Sequence, residues 1–239
     1  MIPARHDGEV QTSDRLGDRT WPDLTVVAPL PLLLLPVGSF EQHGPHLPLD
    51  TDTRIALAIA DAVVSRVPGT VVGPALSVTA SGEHQGFPGT LSVGNEVTTR
   101  MIVELVRSAD WANGVVLVNG HGGNVSAVTE AVMLLGLEGR RCLAWWPTRP
   151  SDAAADDFHA GWTETSVMLH LHPDLVRLDA AAPGASTTIA ELRSRPVIDV
   201  APTGVLGDPT GANAADGERI LTDWVDDLVA EVADMAGPT

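Results

Sequence analysis

The run Val115-Val116-Leu117-Val118 has no polar residue on either face. A strand of that kind must be covered on both sides, which places it at the centre of a parallel sheet. Other strand-length apolar runs stand at Leu32 to Val37, Val71 to Val78 and Cys142 to Trp146. Between them lie segments with helical spacing: Ile55 to Val67, Glu96 to Trp111 and Val125 to Leu137. Strand alternating with helix is the pattern of an α/β fold. A further helix is expected from about Thr163, and a last one over Ala212 to Met235, with Ile220, Trp224, Leu228 and Val232 on one stripe. Asp179 to Gly211 shows little period and reads as a functional loop or a subunit contact.

Charge removes several classes of function. Arginine supplies all 14 basic residues against 31 acidic ones, a formal charge of −17, which repels phosphate backbones and anionic lipid. Neither nucleic acid nor membrane is expected as a partner. The absence of lysine excludes Walker-type phosphate loops and Schiff-base chemistry, and the absence of tyrosine excludes a phenolic acid or base. The one cysteine, Cys142, fits a reducing cytoplasm, where the protein is expected to work. Residues 1–22 mix acids and arginines without an apolar core, so they read as a flexible leader rather than a secretory signal.

Polar residues gather directly after the apolar runs, where open α/β sheets place their sites. After Leu32 to Val37 the chain reads G-S-F-E-Q-H-G-P-H-L-P-L-D-T-D. In extended chain Glu41 and His43 point the same way, their Cα atoms about 7 Å apart, which suits one residue to each ion of a metal pair. Pro45 and Pro48 stiffen a turn that could return Asp52, whose two oxygens can bridge both ions. A polar surface loop is the competing reading. After Val115 to Val118 comes N-G-H-G-G-N, in which glycines let backbone approach a ligand. It is neither an esterase HGGG loop, since no G-x-S-x-G accompanies it, nor a dinucleotide fingerprint, since Val125 stands where the third glycine belongs. In H-A-G-W-T-E-T-S, Glu164 shares a helix face with Met168 and Leu171 and should point inward, as a metal ligand or as a cap to free amides. His159 is the candidate proton shuttle. In S-G-E-H-Q-G-F-P-G-T the order Glu83-His84 is not that of a zincin helix, so Glu83, His84 and Phe87 are assigned to substrate contact.

In order, E-Q-H-G-P-H-L-P-L-D-T-D, G-E-H-Q-G-F-P-G-T, N-G-H-G-G-N and H-A-G-x-x-E-T-S resemble the creatininase family of metal-dependent amidohydrolases over about residues 36–171. The resemblance implies a three-layer α/β/α sandwich with a mostly parallel central sheet, formed by residues 23–239 as a single catalytic domain. It implies two divalent ions: Glu41 and His121 on one, His43 on the other, Asp52 between them. Creatininase proper carries a metal-binding Glu where this chain has Gly123, so Glu164 is the expected further ligand. With imidazole and carboxylate donors only, Zn²⁺, Fe²⁺ and Mn²⁺ all fit. Gly122 and Gly123 would bind the substrate through backbone N–H groups, with Trp162 and Phe87 as apolar walls and His159 and Glu164 in catalytic roles. The H-A-G-x-T-E-T-S and G-V-L-G-D-P versions look most like the mycofactocin-maturation branch, whose members act on a small ribosomally made precursor peptide and release a C-terminal dipeptide. The deformylase branch, which acts on small formamides, also carries H-G-G-N, and a non-catalytic metal-binding subunit on the same fold is a third alternative. Family members commonly form homo-oligomers, often hexamers.

Overall fold

The computed structural model describes residues 13–25, 30–192 and 194–236. A short helix α1 (Trp21–Thr25) precedes strand β1 (Leu32–Val37), helix α2 (Thr51–Val64) and strand β2 (Thr70–Val72). Helix α3 (Gly94–Ser108), strand β3 (Gly114–Asn119), helix α4 (Val125–Leu137) and strand β4 (Cys142–Trp145) follow. The chain ends with α5 (Trp162–Leu171), the one-turn helices α6 (Ile189–Leu192) and α7 (Val197–Val200), and the long α8 (Ala214–Ala236). β2 is shorter than the apolar run because Gly73 and Pro74 follow it, and proline has no N–H for the ladder.

The four strands are parallel throughout, in the order β2-β1-β3-β4. Period two sorts their side chains into two cores. Leu32, Leu34, Val116 and Val118 meet Ile55 and Ile59 of α2, Met168 of α5 and Ile220 and Leu228 of α8. Leu33, Leu35, Val115 and Leu117 meet Ile102 and Val106 of α3 and Val128 and Leu135 of α4. Helices therefore cover both faces, which makes three layers. Among the described residues no helix is long and apolar enough to cross a membrane.

Of the segment expected as a leader, residues 1–12 lie outside the described residues. The Val72 N–H donates to the Asp14 carbonyl at 2.8 Å, and Leu16 packs on the second core. These residues join the domain through backbone pairing, which no side-chain pattern announces.

Topology positions the site. From β1 the chain steps outward to β2, then returns past β1 to lay down β3 on its other side. The direction of winding reverses between β1 and β3, and there the carboxyl ends of an open sheet leave a crevice.

Candidate metal centre

Val37 and Asn119 are register partners at the ends of β1 and β3, so the segments that follow them emerge side by side. Glu41 and His43 lie on the first and His121 on the second, while Asp52 comes from the first turn of α2. Glycine at 120 permits this convergence, because a Cβ there would stand 2.6 Å from the Asp52 carbonyl oxygen. His159 reaches the crevice from the loop before α5, paired antiparallel with Leu206. Beside it Ala160 has φ of 51°, a left-handed conformation costly for a residue with a Cβ. That bend aims the Ala160 N–H at Glu164 Oε2, 2.6 Å away.

Asp52 is the hub. Its Oδ1 lies 3.0 Å from His43 Nε2, and its Oδ2 lies 3.0 Å from His121 Nδ1 and accepts from the Ser39 hydroxyl at 2.8 Å. Glu164 Oε2 stands 3.9 Å from His43 Nε2. Glu41 is fully buried and neither of its carboxylate oxygens accepts a hydrogen bond, although His84 Nε2 and His121 Nε2 come within 3.3 and 3.2 Å of them. An ionised group in that state is costly unless a cation serves it. Donor atoms of Glu41, Asp52 and His121 lie within 4.8 Å of one another, as do those of His43, Asp52 and Glu164. Asp52 belongs to both sets.

Backbone acceptors orient the imidazoles. His43 Nδ1 donates to the Glu41 carbonyl at 3.1 Å, which turns Nε2 toward Asp52. His159 Nε2 donates to the Gln42 carbonyl at 2.8 Å, which leaves Nδ1 facing Glu41 Oε1 at 3.7 Å. Fixing one ring nitrogen so that the other is presented is how metal and acid–base histidines are commonly held.

Burial opposes charge on His43, but the adjacent Asp52 carboxylate overcomes it and pushes the imidazole up to about 10. His121 is likewise pushed up to about 10 against its burial, by Glu41 and Asp52. Burial raises Glu41 to about 8 and Glu164 to about 7. Asp52 stays well below the usual carboxylate range despite burial, because both imidazoles face it. Burial and the charge on neighbouring histidines hold His84 down at about 3 and His159 well below its ordinary value. The pocket thus draws positive charge to His43 and His121 and keeps His159 neutral.

The structure brings together Glu41, His43, Asp52, His121, His159 and Glu164. Glu164 is both inward-pointing and a cap, since it also accepts from Ala160. Glu83 and His84, expected at the substrate, instead join the cluster, with donor atoms within 4.8 Å of those of Glu41. A short helical turn, Gly82–His84, carries them in, and the loop is tied down by the Leu91 N–H on the Phe40 carbonyl at 2.8 Å. Phe87 packs with Val197, Ala201 and Leu206. Trp162 packs against the main core; the indole that lines the adjoining cavity of about 200 Å³, with His159, Glu164 and Gly122, is Trp224. Gly123 lies between His121 and Glu83.

Gln42 went unread in the sequence. Its Oε1 accepts from the Gly44 N–H at 2.9 Å, and its Nε2 donates to the Gly204 carbonyl at 3.1 Å and to His84 Nδ1 at 2.8 Å. One amide therefore orients His84, while the same residue's carbonyl orients His159. Its place between two candidate ligands was the available signal.

The family model described as "Creatininase: Creatinine amidohydrolase" matches residues 17–232. The chain is 51% identical over 206 residues to a mycofactocin precursor peptide peptidase of Mycolicibacterium smegmatis, covering 82% of each chain. It is 45% identical over 245 residues to a protein of the same name from Mycobacterium ulcerans, covering 97% of this chain and 92% of the relative. Among solved structures, a mutant creatininase of Zn–Zn type superposes with a TM-score of 0.82 at 27% identity, covering 95% of this chain and 100% of the other.

Proposed function

The chain belongs to the creatininase family, and from that premise we propose that it is a peptidase that releases a C-terminal dipeptide from the mycofactocin precursor peptide at a centre of two divalent ions. The coarser part of this reading, a metal-dependent hydrolase of C–N amide bonds, is the family's chemistry.

One observation carries the reading: Glu41 offers two buried, unpartnered oxygens beside an Asp52 that faces a histidine on each side. Glu41, Asp52 and His121 would hold one ion and His43, Asp52 and Glu164 the other, with Asp52 shared. The donors are carboxylate oxygen and imidazole nitrogen, which suits Zn²⁺, Fe²⁺ or Mn²⁺. When bound, such ions supply Lewis acidity and a water acidic enough to attack an amide carbonyl near neutral pH.

The protein's own groups do the rest. His159 Nδ1, free because Nε2 is committed to Gln42, can hold a proton and return it to the departing nitrogen. Gly122 opens a helical turn, where the backbone N–H groups of Gly122 and Gly123 lack partners within the helix and can orient the carbonyl oxygen. Arg149 lines the same cavity as His159 and Glu164 and makes no ion pair among the described residues, so it is available to the free carboxylate of a peptide terminus. Assembly into a homo-oligomer belongs to the proposal too, supported by the apolar side chains of Met133, Leu134 and Leu137 left exposed on α4.

The test is direct. Protein loaded with zinc, iron or manganese is incubated with the precursor peptide and the products are weighed. Loss of two C-terminal residues, absent with Glu41→Ala, is the expected result. An intact peptide, with turnover of a small formamide or cyclic amide instead, would move the chain to another branch of the family.

A further inference from the structure

Glu83 is the carboxylate that the metal sets above leave over. Its side chain is 31% exposed at the rim of the crevice, and among the described residues it accepts no hydrogen bond and pairs with no arginine. Yet it does not turn to solvent. Its Oε1 lies 3.5 Å from His121 Nε2, the nitrogen that Glu41 Oε2 also approaches, at 3.2 Å. In the metal-free protein that nitrogen's proton, which is within reach of the Ala80 carbonyl at 2.9 Å, also faces both carboxylates; a divalent cation entering among them displaces it and takes over their charge.

Gly123 shows that the approach is built in. A Cβ at that position would stand 2.0 Å from Glu83 Oε1, 2.4 Å from His121 Nε2 and 2.7 Å from the Ala80 carbonyl oxygen. Three groups therefore meet in the volume that any side chain at 123 would fill. The spacing also suits a shared ion. Bonds of about 2.1 Å at tetrahedral angles put neighbouring ligand atoms about 3.4 Å apart, and the separations from His121 Nε2 to the two carboxylates are 3.2 and 3.5 Å.

We propose that Glu83 is a direct ligand of the ion shared by Glu41 and His121, and that position 123 is glycine because this carboxylate enters over it. The inference rests on the metal-centre reading given above and adds a ligand to it. Glu83, Glu41, Asp52 and Glu164 then give the centre four carboxylates, none of them paired with an arginine, a charge that two divalent cations balance. His84, whose Nδ1 accepts from Gln42, directs its other nitrogen at Glu41 and steadies that carboxylate from the side. It positions a ligand.

The experiment measures metal rather than turnover. Wild type, Glu83→Gln and Glu83→Ala are dialysed against a series of buffered free Zn²⁺ concentrations and bound zinc per chain is determined; a parallel set is loaded with Co²⁺ and its visible absorption recorded. Loss of a partner outside the ligand shell typically costs 10–100-fold in metal affinity, so loss of a ligand should shift half-loading of one ion by at least about tenfold. The cobalt band of both variants should change in position or intensity. Variants with wild-type zinc affinity and an unchanged cobalt spectrum, but an altered KM for peptide, would make Glu83 a substrate contact and overturn the proposal. A wild type that binds a single ion, still weakened by Glu83→Gln, would remove the two-ion reading and leave the ligand assignment standing.

Discussion

The two ends of the sheet invite opposite inferences from size and from chemistry. At the amino end, where β4 begins, lies the larger cavity, about 660 Å³, bordered by Arg140, Arg141 and Cys142 and by Glu231 and Asp234 of α8. At the carboxyl end the cavity beside His159 and Glu164 is about 200 Å³. Yet every arginine at the large cavity is already engaged: Arg140 pairs with Asp110 and Glu138, and Arg141 donates to Asn113 and Met235. Beside the small one, buried carboxylates face imidazoles and neither carboxylate oxygen of Glu41 has a hydrogen-bond partner. Unmet charge that has been taken out of water marks the functional end; volume does not.

The contrast breaks most visibly at Asp52. Asp52→Asn removes the shared carboxylate, and because such a centre supplies several kcal/mol of transition-state stabilisation, peptide hydrolysis should fall roughly 10³-fold or more. Arg140→Ala, at the other end, should leave turnover within about a factor of two. Initial rates on the precursor peptide check both, and equal losses would mean that the carboxyl end has no special role.

A second expectation sharpens the electrostatic side. His43 and His121 have folded pKa values of about 10, above an ordinary value of 6.5. A group raised on folding contributes stability that is fully present below its unfolded pKa and disappears as pH rises through its folded one. Metal-free protein should therefore lose thermal stability between about pH 6.5 and 10. Metal binding runs the other way, because the ligands must shed those protons first. Melting curves with and without chelator should thus diverge as pH rises. A chelated protein whose midpoint is flat over that window would contradict the charge distribution described.

Much of the frame was legible. Leu32 to Val37 and Val125 to Leu137 coincide with β1 and α4, because an apolar run between Pro31 and Gly38 and a run entered from Gly-Asn each carry their own boundaries. Glu41, His43 and Asp52 could be grouped from spacing and from their place after a strand, whereas His121 joins them only through the family resemblance; the structure places donor atoms of all four in one crevice. The partners of Gln42 lie 42, 117 and 162 residues away, and no local pattern reports a hydrogen bond over such distances. Glu83 and His84 are assigned to substrate contact from sequence because their order matches no helical zinc motif; no local pattern reports that a three-residue turn and its tether to Phe40 carry them next to Glu41.

Gln42 provides a smaller and more selective test. Gln42→Ala keeps the backbone carbonyl that orients His159 but removes the amide that holds His84 and ties residue 42 to Gly204. Because the amide acts through other side chains, turnover should fall about 10–100-fold while bound metal per chain is unchanged. Loss of metal in this variant would mean that Gln42 supports the ion set itself.

The smallest effect is expected from the only thiol, which sits at the large cavity. Burial pushes Cys142 up to about 12, so near neutral pH it is a protonated, half-buried apolar group packed on the second core rather than a nucleophile. Cys142→Ala should leave turnover and metal content unchanged and lower stability by about 1 kcal/mol, the size of a minor core truncation. Native protein at pH 7.5 should react with iodoacetamide far more slowly than the unfolded chain, because the attacking species is the thiolate. Rapid labelling accompanied by loss of hydrolysis would reverse the comparison between the two ends: the larger cavity would then hold reactive chemistry that its paired arginines conceal.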